Sequence, residues 1–374
     1  MTNNSGLEGV IAATTRLSHV DGERGELIIA GYPLAELTAH ASFEEATFLL
    51  WHGRRPSAPE LTRFRTEIAA QRDVPPATLA ILRACAARNV APMDALRIAA
   101  GTISLDTAEP TAIVAKIPTI VAAHSRLLNG AEPIQPRADL SHSAHYLYLL
   151  TGQVPDEEQA RALEIYLTTV IDHGLNASTF TCRVITSTGS DLVSAIVGAI
   201  AALKGPLHGG APGPALEMVF EIENTTRAEA VLRRKIEAGE RLMGFGHRVY
   251  KVRDPRADVL AAASERLYAR AGDMAFYRLA RDVEAVAVRL LEEYKPGRRL
   301  QTNVEFYTAL LMHGLGLDVP LFTPTFAIGR VSGWIAHALE QRAANRLIRP
   351  ASEYTGPRNL SWESQPTAPV VAVA

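Results

Sequence analysis

The sequence predicts an all-α protein with a small β-hairpin at its N-terminus. Along most of its 374 residues, apolar side chains recur three and four positions apart, which is the spacing of one helical face. Strand-like patterns are confined to 10–17 and 27–30, which flank the turn-forming pair Asp21-Gly22. With 47% hydrophobic and 21% charged residues, the chain has the composition of a protein with a packed core.

The helical segments follow one another with few interruptions. The segment 43–51 places its apolar residues on one face, and Leu61, Phe64 and Ile68 continue that spacing in the next segment. Pro118 predicts a kink or a stop in the helix that surrounds it. In chain order, further helices are predicted over 110–128, 157–187, 192–203, 226–238, 256–272, 275–294, 303–314 and 324–345.

The charge, the cysteine content and the apolar stretches exclude several classes of protein. A formal net charge of −2 does not favour a nucleic-acid partner. Cys85 and Cys182 are too few for a disulfide framework and lie in helical patterns, so buried free thiols are expected. Residues 1–9 lack a hydrophobic signal region, and apolar stretches such as 192–203 are too short to span a bilayer. We therefore expect a cytoplasmic protein with no membrane partner.

Two breaks interrupt the helical pattern. The densest cluster of glycine and proline, 205–214, predicts a hinge or a turn that faces a ligand, and 295–299 is a second break. The chain after Pro350 has an irregular pattern. Its last part, 364–374, is expected either to fray or to wrap around a partner subunit.

The run 244–256 carries the strongest chemical signal. It reads GFGHRVYKVRDPR and places His247 between a glycine-bracketed turn and several cationic residues, in a chain that is nearly neutral overall. That contrast favours an anionic small molecule as the ligand. Glycines let the backbone approach a ligand, and an imidazole can donate a proton near neutral pH. Taken alone, the run could also be a solvated loop with an incidental histidine.

Two further histidines interrupt apolar patterns. His208 lies in the cluster 205–214, where irregular backbone is typical of a cavity wall, although a surface turn is the simpler interpretation. His173 lies three residues before Asn176, and a helix through this run would place both side chains on one face. The alternative for His173 is a core histidine that is satisfied by its neighbours.

Carboxylate and guanidinium groups complete the candidate chemistry. Glu305 opens a predicted helix, either as a general base or only as a favourable charge at the helix start. Arg330 and Arg349 could bind carboxylates in a bidentate manner or lie on solvated helix faces. Metal binding competes as an explanation of the histidines, but His142 and His145 lack an acidic neighbour in the sequence, so no metal site is expected.

Together, these segments resemble the citrate synthase family, in the family's order and spacing from about residue 6 to about residue 356. The three strongest matches are Gly205-Pro206-Leu207-His208-Gly209-Gly210, then 244–250 running into Asp254-Pro255-Arg256, and then Asn303-Val304-Glu305-Phe306-Tyr307. Supporting matches are Asp172-His173 with Asn176-Ala177-Ser178, Pro92-Met93-Asp94, Phe322-Thr323-Pro324, and Gly329-Arg330 with Gly333-Trp334.

The resemblance implies an all-α fold of two domains that close over the substrates. The large domain would comprise 1–208 and 313–374, and the small domain 209–312. It also implies a homodimer, or a hexamer built from dimers, in which two subunits complete each active site. We expect the apolar helical segment 325–339 to contribute to the subunit interface.

The implied reaction condenses acetyl-CoA with oxaloacetate and hydrolyses citryl-CoA to citrate and CoA. This is a transferase reaction of the tricarboxylic acid cycle that uses no cofactor, since the CoA thioester is a substrate. One alternative is a 2-methylcitrate synthase that uses propionyl-CoA, because one methyl group changes pocket binding by only ~1–3 kcal/mol. A second alternative is a catalytically weakened, regulatory paralogue that binds CoA or oxaloacetate.

The resemblance also implies roles for individual residues. His208 would donate a hydrogen bond to the acetyl-CoA carbonyl, His247 would protonate the ketone of oxaloacetate, and Glu305 would remove the methyl proton. Oxaloacetate would be held by His173, Arg256, Arg330 and, from the neighbouring subunit, Arg349. The residues expected against CoA are Arg248, Lys251 and Arg253.

One residue departs from the family pattern. The position of Glu305 is usually an aspartate in the family, so the carboxylate here lies on a side chain one methylene longer. A misplacement of ~1 Å can cost about a hundredfold in rate. Either the backbone compensates, or the chain is a slower or differently tuned subtype. A glutamate remains a carboxylate base, so the change does not predict an inactive enzyme.

Overall fold

The computed structural model of the chain describes residues 5–7, 9–105, 109–209 and 212–361. These ranges contain sixteen α-helices, three short 3-10 turns and one three-stranded antiparallel sheet. The all-α class with a small N-terminal β element is therefore confirmed. Gly210, in the predicted hinge or ligand-facing turn, lies outside the described residues. The tail 364–374, which was expected to fray or to wrap around a partner subunit, lies outside them as well.

The helices of the N-terminal half are α1 Leu34–His40, α2 Phe43–His52, α3 Ala58–Ala70, α4 Pro76–Ala86, α5 Pro92–Ala100, α6 Pro110–Leu128, α7 His142–Thr151, α8 Glu157–Thr169, α9 Ala177–Ser187 and α10 Leu192–Leu203. The helices of the C-terminal half are α11 Pro212–Ile222, α12 Thr225–Glu237, α13 Pro255–Ala271, α14 Met274–Tyr294, α15 Val304–Gly314 and α16 Phe322–Ala343.

The sheet consists of β1 Ser18–Asp21, β2 Glu26–Ile29 and β3 Tyr32–Pro33, in that order. The β1 and β2 strands pair antiparallel, with Asp21 opposite Glu26, so the hairpin around Asp21-Gly22 is confirmed. The expected strand 10–17 is wrong, because the described chain has no ladder partner before Ser18. Ile11, which contributed to that apolar pattern, is 88% exposed.

One prediction about helix ends is wrong for an identifiable reason. The segment 157–187 is not one helix but two, α8 and α9, separated by 170–176. Gly174 in this gap has a φ of 59°, a left-handed conformation that is incompatible with a continuous right-handed helix through the gap. Pro118 lies inside α6, which has the predicted bounds and continues to Leu128, so the proline does not stop the helix and the alternative of a kink stays a prediction. Helices α1, α4, α5, α7 and α11 were not predicted from the sequence.

The longest helix, α16, is the centre of the molecule. Every residue over 324–338 is buried, and α2, α6, α8, α9 and α10 all pack around it. Such complete burial is typical of a core helix. The expectation that 325–339 forms a subunit interface is therefore wrong, since its buried surface is covered by the chain's own helices.

The segment 170–176 passes close against α16. A Cβ atom added to Gly333 would lie 2.1 Å from the Ile171 carbonyl oxygen, so only glycine fits at this position. Gly329, one turn earlier, would place a Cβ atom 2.9 Å from the Leu167 oxygen. These two glycines allow α16 to approach the end of α8 and the irregular chain that follows it.

Helices α11 to α15 occupy the region expected as the small domain. Within it α13 packs on α15 and α12 on α14, and α13 also contacts α8. The division into domains at 209 and 312 stays a prediction. Cys85 and Cys182 are buried free thiols, as expected. Within the described ranges, no helix has the length and hydropathy to cross a membrane.

We expect Gly333→Ala to destabilise the fold by at least about 1–3 kcal/mol, because the new methyl group would overlap a backbone carbonyl. The matched control is Gly101→Ala, since Gly101 has helical φ and ψ and a Cβ atom added there would meet no atom within 4 Å. The control should change the free energy of unfolding by less than about 1 kcal/mol. Urea unfolding measures both, and equal stabilities would disprove the close approach.

Candidate active site

The structure gathers the candidate residues where α8, α10, α13, α15 and α16 meet. The imidazole centroids of His173 and His247 lie 5.7 Å apart, and Arg256 Nη2 lies 3.4 Å from His247 Nε2. The Glu305 carboxylate is close enough to Arg256 and Arg330 for both guanidiniums to lower its pKa. Two guanidiniums, two imidazoles and a carboxylate therefore share one site.

The backbone of the 244–253 loop fixes the tautomer of His247. The amides of Val249 and Tyr250 donate to its Nδ1 at 3.0 and 3.1 Å, so Nδ1 carries no proton. Burial, assisted by the charge of Arg256, lowers the pKa of His247 to about 4. The ring is therefore neutral at pH 7 and carries its proton on Nε2. Since Arg256 Nη2 is also a donor, its 3.4 Å contact with Nε2 is not a hydrogen bond, and the Nε2 proton is left for a ligand.

Asp254 holds Arg256 and joins two helix starts. Its carboxylate accepts from Arg256 Nε at 3.0 Å and from Nη2 at 2.7 Å, a bidentate pair that is buried on both sides. The same carboxylate caps α13 by accepting from the Arg256 amide, and it accepts from the Val304 amide at the start of α15. Asp254 thus fixes Arg256 relative to α15, which carries Glu305.

Glu305 lies in the first turn of α15, and the turn is tied to the histidine loop. Asn303 caps the helix by accepting from the Glu305 amide at 3.0 Å, and its Nδ2 donates to the Gly246 carbonyl at 2.7 Å. Burial raises the pKa of Glu305 to about 7, against the attraction of Arg256 and Arg330. A carboxyl group with this pKa can exchange a proton at neutral pH.

His208 is held from the opposite side of the site. Its Nε2 lies 2.8 Å from Ser178 Oγ, which also accepts a hydrogen bond from Trp334 Nε1 at 3.1 Å. Burial, assisted by the charge of Arg330, lowers the pKa of His208 to about 4. His208 is therefore a neutral imidazole at pH 7, with one ring nitrogen engaged by the protein.

Arg330 is a buried cation that lacks a carboxylate partner among the described residues. Its Nε donates to the Val170 carbonyl at 2.5 Å, and its guanidinium lies 4.8 Å from the centroid of the Phe326 ring. In the described part of the chain it forms no ion pair within 4 Å. Burial lowers the pKa of Arg330 to about 10, so it stays charged at pH 7. A buried guanidinium that no carboxylate pairs with directly favours an anionic ligand.

His173 lies in the irregular segment 170–176. The sequence predicted instead that it shares a helix face with Asn176. Its Nε2 is 3.2 Å from the Tyr250 hydroxyl, while Asn176 caps α9 by accepting from the Thr179 amide. Burial lowers the pKa of His173 well below its usual value. The expected side-by-side placement of His173 and Asn176 is wrong, because the chain here is not helical.

The residues expected against CoA differ in their surroundings. Arg248 and Lys251 are exposed, and Lys251 Nζ donates to the Arg248 carbonyl at 3.3 Å. Arg253 is held by two carboxylates, Asp258 at 2.5 Å and Glu284. That ion pairing gives Arg253 a structural role, and its contact with CoA stays a prediction.

Arg349 shares no hydrogen bond or ion pair with the other candidate residues that the structure describes. It is exposed and forms no hydrogen bond or ion pair with another described residue. Two hydrogen bonds attach its segment to the end of α9. The Ile348 amide donates to Ser187 Oγ, and Asn345 Nδ2 donates to the Ser187 carbonyl. A contribution of Arg349 to a neighbouring subunit stays a prediction.

Several residues of the site received no role from the sequence, although three of them lie in the motifs that match the family. Asp254, Tyr250 and Ser178 hold the predicted residues in place, and Asp254 could have been found as the residue before the helix-starting Pro255. His337 could not, because its partner lies far away in the sequence. No three His, Cys, Asp or Glu side chains form a metal-binding group in the described part of the chain.

Comparison with known proteins identifies the family. Residues 6–351 match the family model described as citrate synthase, C-terminal domain. Citrate synthase 2 of Bacillus subtilis is 42% identical, over 96% of this chain and 97% of that protein. The citrate/2-methylcitrate synthase of the same organism is 38% identical, over 94% of this chain and 96% of that protein.

The chain belongs to the citrate synthase family.

A solved structure supports the family at the level of the fold. The ternary complex of carboxymethyl coenzyme A and oxaloacetate with citrate synthase from Thermoplasma acidophilum superposes with a TM-score of 0.88. That chain is 28% identical, and the match covers 96% of this chain and 97% of that one. The chain is therefore an enzyme with the fold of this family.

We expect Asp254→Asn to destabilise the protein by about 3–5 kcal/mol, because it leaves the buried Arg256 charge without its partner. The matched control is Glu132→Gln, which removes the exposed pair with Arg83 and should cost at most about 1 kcal/mol. Urea unfolding at neutral pH compares the two variants. Equal losses would show that the Asp254–Arg256 pair is no more important than a surface pair.

Proposed function

We propose that this enzyme condenses acetyl-CoA with oxaloacetate and hydrolyses the resulting citryl-CoA to citrate and CoA. The observation that carries the proposal is the buried pair of guanidiniums, Arg256 and Arg330, beside a neutral His247 and a carboxyl group of pKa about 7. This set can bind a dicarboxylate and can move a proton from carbon. The family and the names of its relatives support the same reaction.

Oxaloacetate binds in this proposal between the buried guanidiniums. Arg330 supplies a buried charge that forms no ion pair within 4 Å with a described carboxylate, and Arg256 is already oriented by Asp254. His173 closes the site from the 170–176 segment, and Arg349 of the partner subunit approaches from outside. Four donors around two carboxylates fix the orientation of the ketone, which lowers the entropic part of the barrier.

Glu305 removes a proton from the methyl group of the thioester, and His208 donates a hydrogen bond to the carbonyl oxygen on which enolate charge develops. A general base is most effective when its pKa lies near the working pH, and burial brings the pKa of Glu305 to about 7. His208 can donate without carrying a charge, because burial keeps it neutral.

The enol then attacks the ketone of oxaloacetate, and His247 supplies a hydrogen bond and a proton to the new alkoxide. Its Nε2 carries the proton because two backbone amides occupy Nδ1. Citryl-CoA is hydrolysed in the same site. Closure of the small domain, 209–312, over the large domain would exclude water until the carbon–carbon bond has formed.

CoA lies in this proposal against the 244–253 loop, where Arg248 and Lys251 present positive charge to solvent. The thioester is a substrate, so the reaction needs no further cofactor and no metal. The enzyme acts in this proposal as a homodimer in which Arg349 completes the site of the partner subunit, and its exposed position supports this role.

A 2-methylcitrate synthase activity is the second candidate, because a relative 38% identical to this chain is named for both reactions. An assay of the purified enzyme with oxaloacetate and EDTA separates the two candidates when acetyl-CoA and propionyl-CoA are supplied in turn. Free CoA thiol gives the rate, and mass spectrometry identifies the product. We expect a higher kcat/KM with acetyl-CoA. A preference for propionyl-CoA would support the second candidate, and no product from either would indicate a regulatory paralogue.

We expect kcat/KM for acetyl-CoA to fall as the pH drops below about 7, because the pKa of Glu305 is raised to about 7 and only its ionised form is a base. An unperturbed glutamate would give a profile that is flat down to about pH 5. Glu305→Gln should lower kcat by at least ~100-fold at pH 7. Glu217→Gln, on the exposed surface of α11, serves as the control and should be active.

We expect subunit mixing to restore activity lost through Arg349→Ala and His247→Ala. Each variant alone should be nearly inactive, whereas a heterodimer contains one site with both residues intact. Random exchange would return about a quarter of the wild-type sites. Activity is measured after refolding a mixture whose exchange is verified by mass spectrometry. No gain over the separate variants would place Arg349 in the site of its own chain.

A further inference from the structure

One face of α16 contacts the irregular segment that carries His173 and the start of α9. Arg330, Gly333, Trp334 and His337 recur at three- and four-residue spacing, so they share a face. Arg330 donates to the Val170 carbonyl, and Gly333 lies against the Ile171 carbonyl. Trp334 donates to Ser178 at the start of α9. His337, the fourth member of the face, has no part in the proposed chemistry.

His337 forms a buried pair with Asp172, the residue immediately before His173. Its Nε2 lies 3.1 Å from Asp172 Oδ1, and neither side chain is exposed to solvent. Its Nδ1 lies 3.0 Å from Arg183 Nη1. A guanidinium can only donate, so Nδ1 must accept and Nε2 must carry the proton that is donated to Asp172.

The second oxygen of Asp172 is held from the sheet. Ser18 Oγ at the start of β1 donates to Asp172 Oδ2 at 2.5 Å and accepts from the Gly174 amide at 2.9 Å. The residues on both sides of His173 are therefore fixed. Asp172 is held by α16 and β1 together, and Gly174 is held by β1. Two neighbouring attachment points leave the backbone of His173 little freedom.

Arg183 holds His337 through a hydrogen bond and is itself bound to α16. Its Nη1 also donates to Glu340 at 2.7 Å, and its Nε donates to Gln341 at 3.1 Å, so the guanidinium is held by two further residues of α16. The chain of hydrogen bonds runs from Arg183 through His337 to Asp172, and its members are buried. A rigid support of this kind is what a substrate-binding side chain on a non-helical segment requires.

We propose that His337 and Asp172 are positioning residues that hold His173 in place for oxaloacetate. The inference rests on the proposed function, because it assigns oxaloacetate as the ligand of His173. Neither residue touches the substrate. Their effect passes through the backbone of 172–174, so it falls on oxaloacetate binding, while acetyl-CoA, to which the proposed function assigns other residues, is unaffected.

The test compares His337→Phe, which removes both hydrogen bonds, with His337→Gln, which keeps an amide donor toward Asp172. We expect His337→Phe to raise KM and the calorimetric Kd for oxaloacetate about tenfold or more, with a smaller change in kcat and no change in KM for acetyl-CoA. His337→Gln should restore most of the affinity. A purely structural role would lower Tm without separating the two substrates.

Two further variants keep the test decisive if His337→Phe does not fold. Ser18→Ala removes the second support of Asp172 from a half-buried position and should also raise KM for oxaloacetate. Ser332→Ala is the matched control, because Ser332 is a buried residue of α16 that bonds Thr47 on a different face. The control should leave KM for oxaloacetate unchanged.

The possible outcomes separate this inference from the proposed function. If wild-type enzyme neither binds oxaloacetate nor forms citrate, both are overturned. If it does so, and Ser18→Ala and the His337 variants bind oxaloacetate as tightly as wild type, only the positioning role is overturned. A selective rise in KM for oxaloacetate that His337→Gln reverses supports the role.

Discussion

The close approach of α16 to the chain between α8 and α9 is the constraint on which the site depends. Gly333 makes room for the Ile171 carbonyl, and residues one turn before and one turn after it bind the same segment. Because α16 is also the most enclosed helix of the core, the free energy of packing that buries it orients the segment as well. His173, Arg330 and, through Trp334 and Ser178, His208 all take their positions from this one contact.

The other half of the site depends on one carboxylate at the start of α13. Asp254 pairs with Arg256, caps its own helix and accepts from the first turn of α15, so Arg256 and Glu305 cannot move independently. Burial and the neighbouring charges together determine the pKa of Glu305. Burial opposes its ionisation and the two guanidiniums favour it, and the net result is a pKa raised to about 7, near the pH at which a base must work.

Sequence patterns predicted the long amphipathic helices well, because burial of one face imposes the helical period. Patterns failed where tertiary contacts decide the structure. The break at 170–176 is held by α16, which lies far away in the sequence, and the apolar pattern of 325–339 could not distinguish a core helix from an interface. The residues with unusual chemistry, such as Glu305, were visible in motifs. Their supports, such as His337, were not, since a lone histidine in an apolar helix carries no sign of its partner.

Glu305 is the position where the resemblance to the family leads us to expect an aspartate. Asn303 and Asp254 hold the first turn of α15, so we expect the length of the side chain to set where the carboxylate lies. The most direct test is kcat of Glu305→Asp beside wild type and Glu305→Gln, with acetyl-CoA and oxaloacetate saturating. A site built for the longer side chain predicts a lower kcat for Glu305→Asp, because the carboxylate retracts by about one carbon–carbon bond. A kcat several-fold above wild type would contradict this, and would show that the site is still shaped for aspartate.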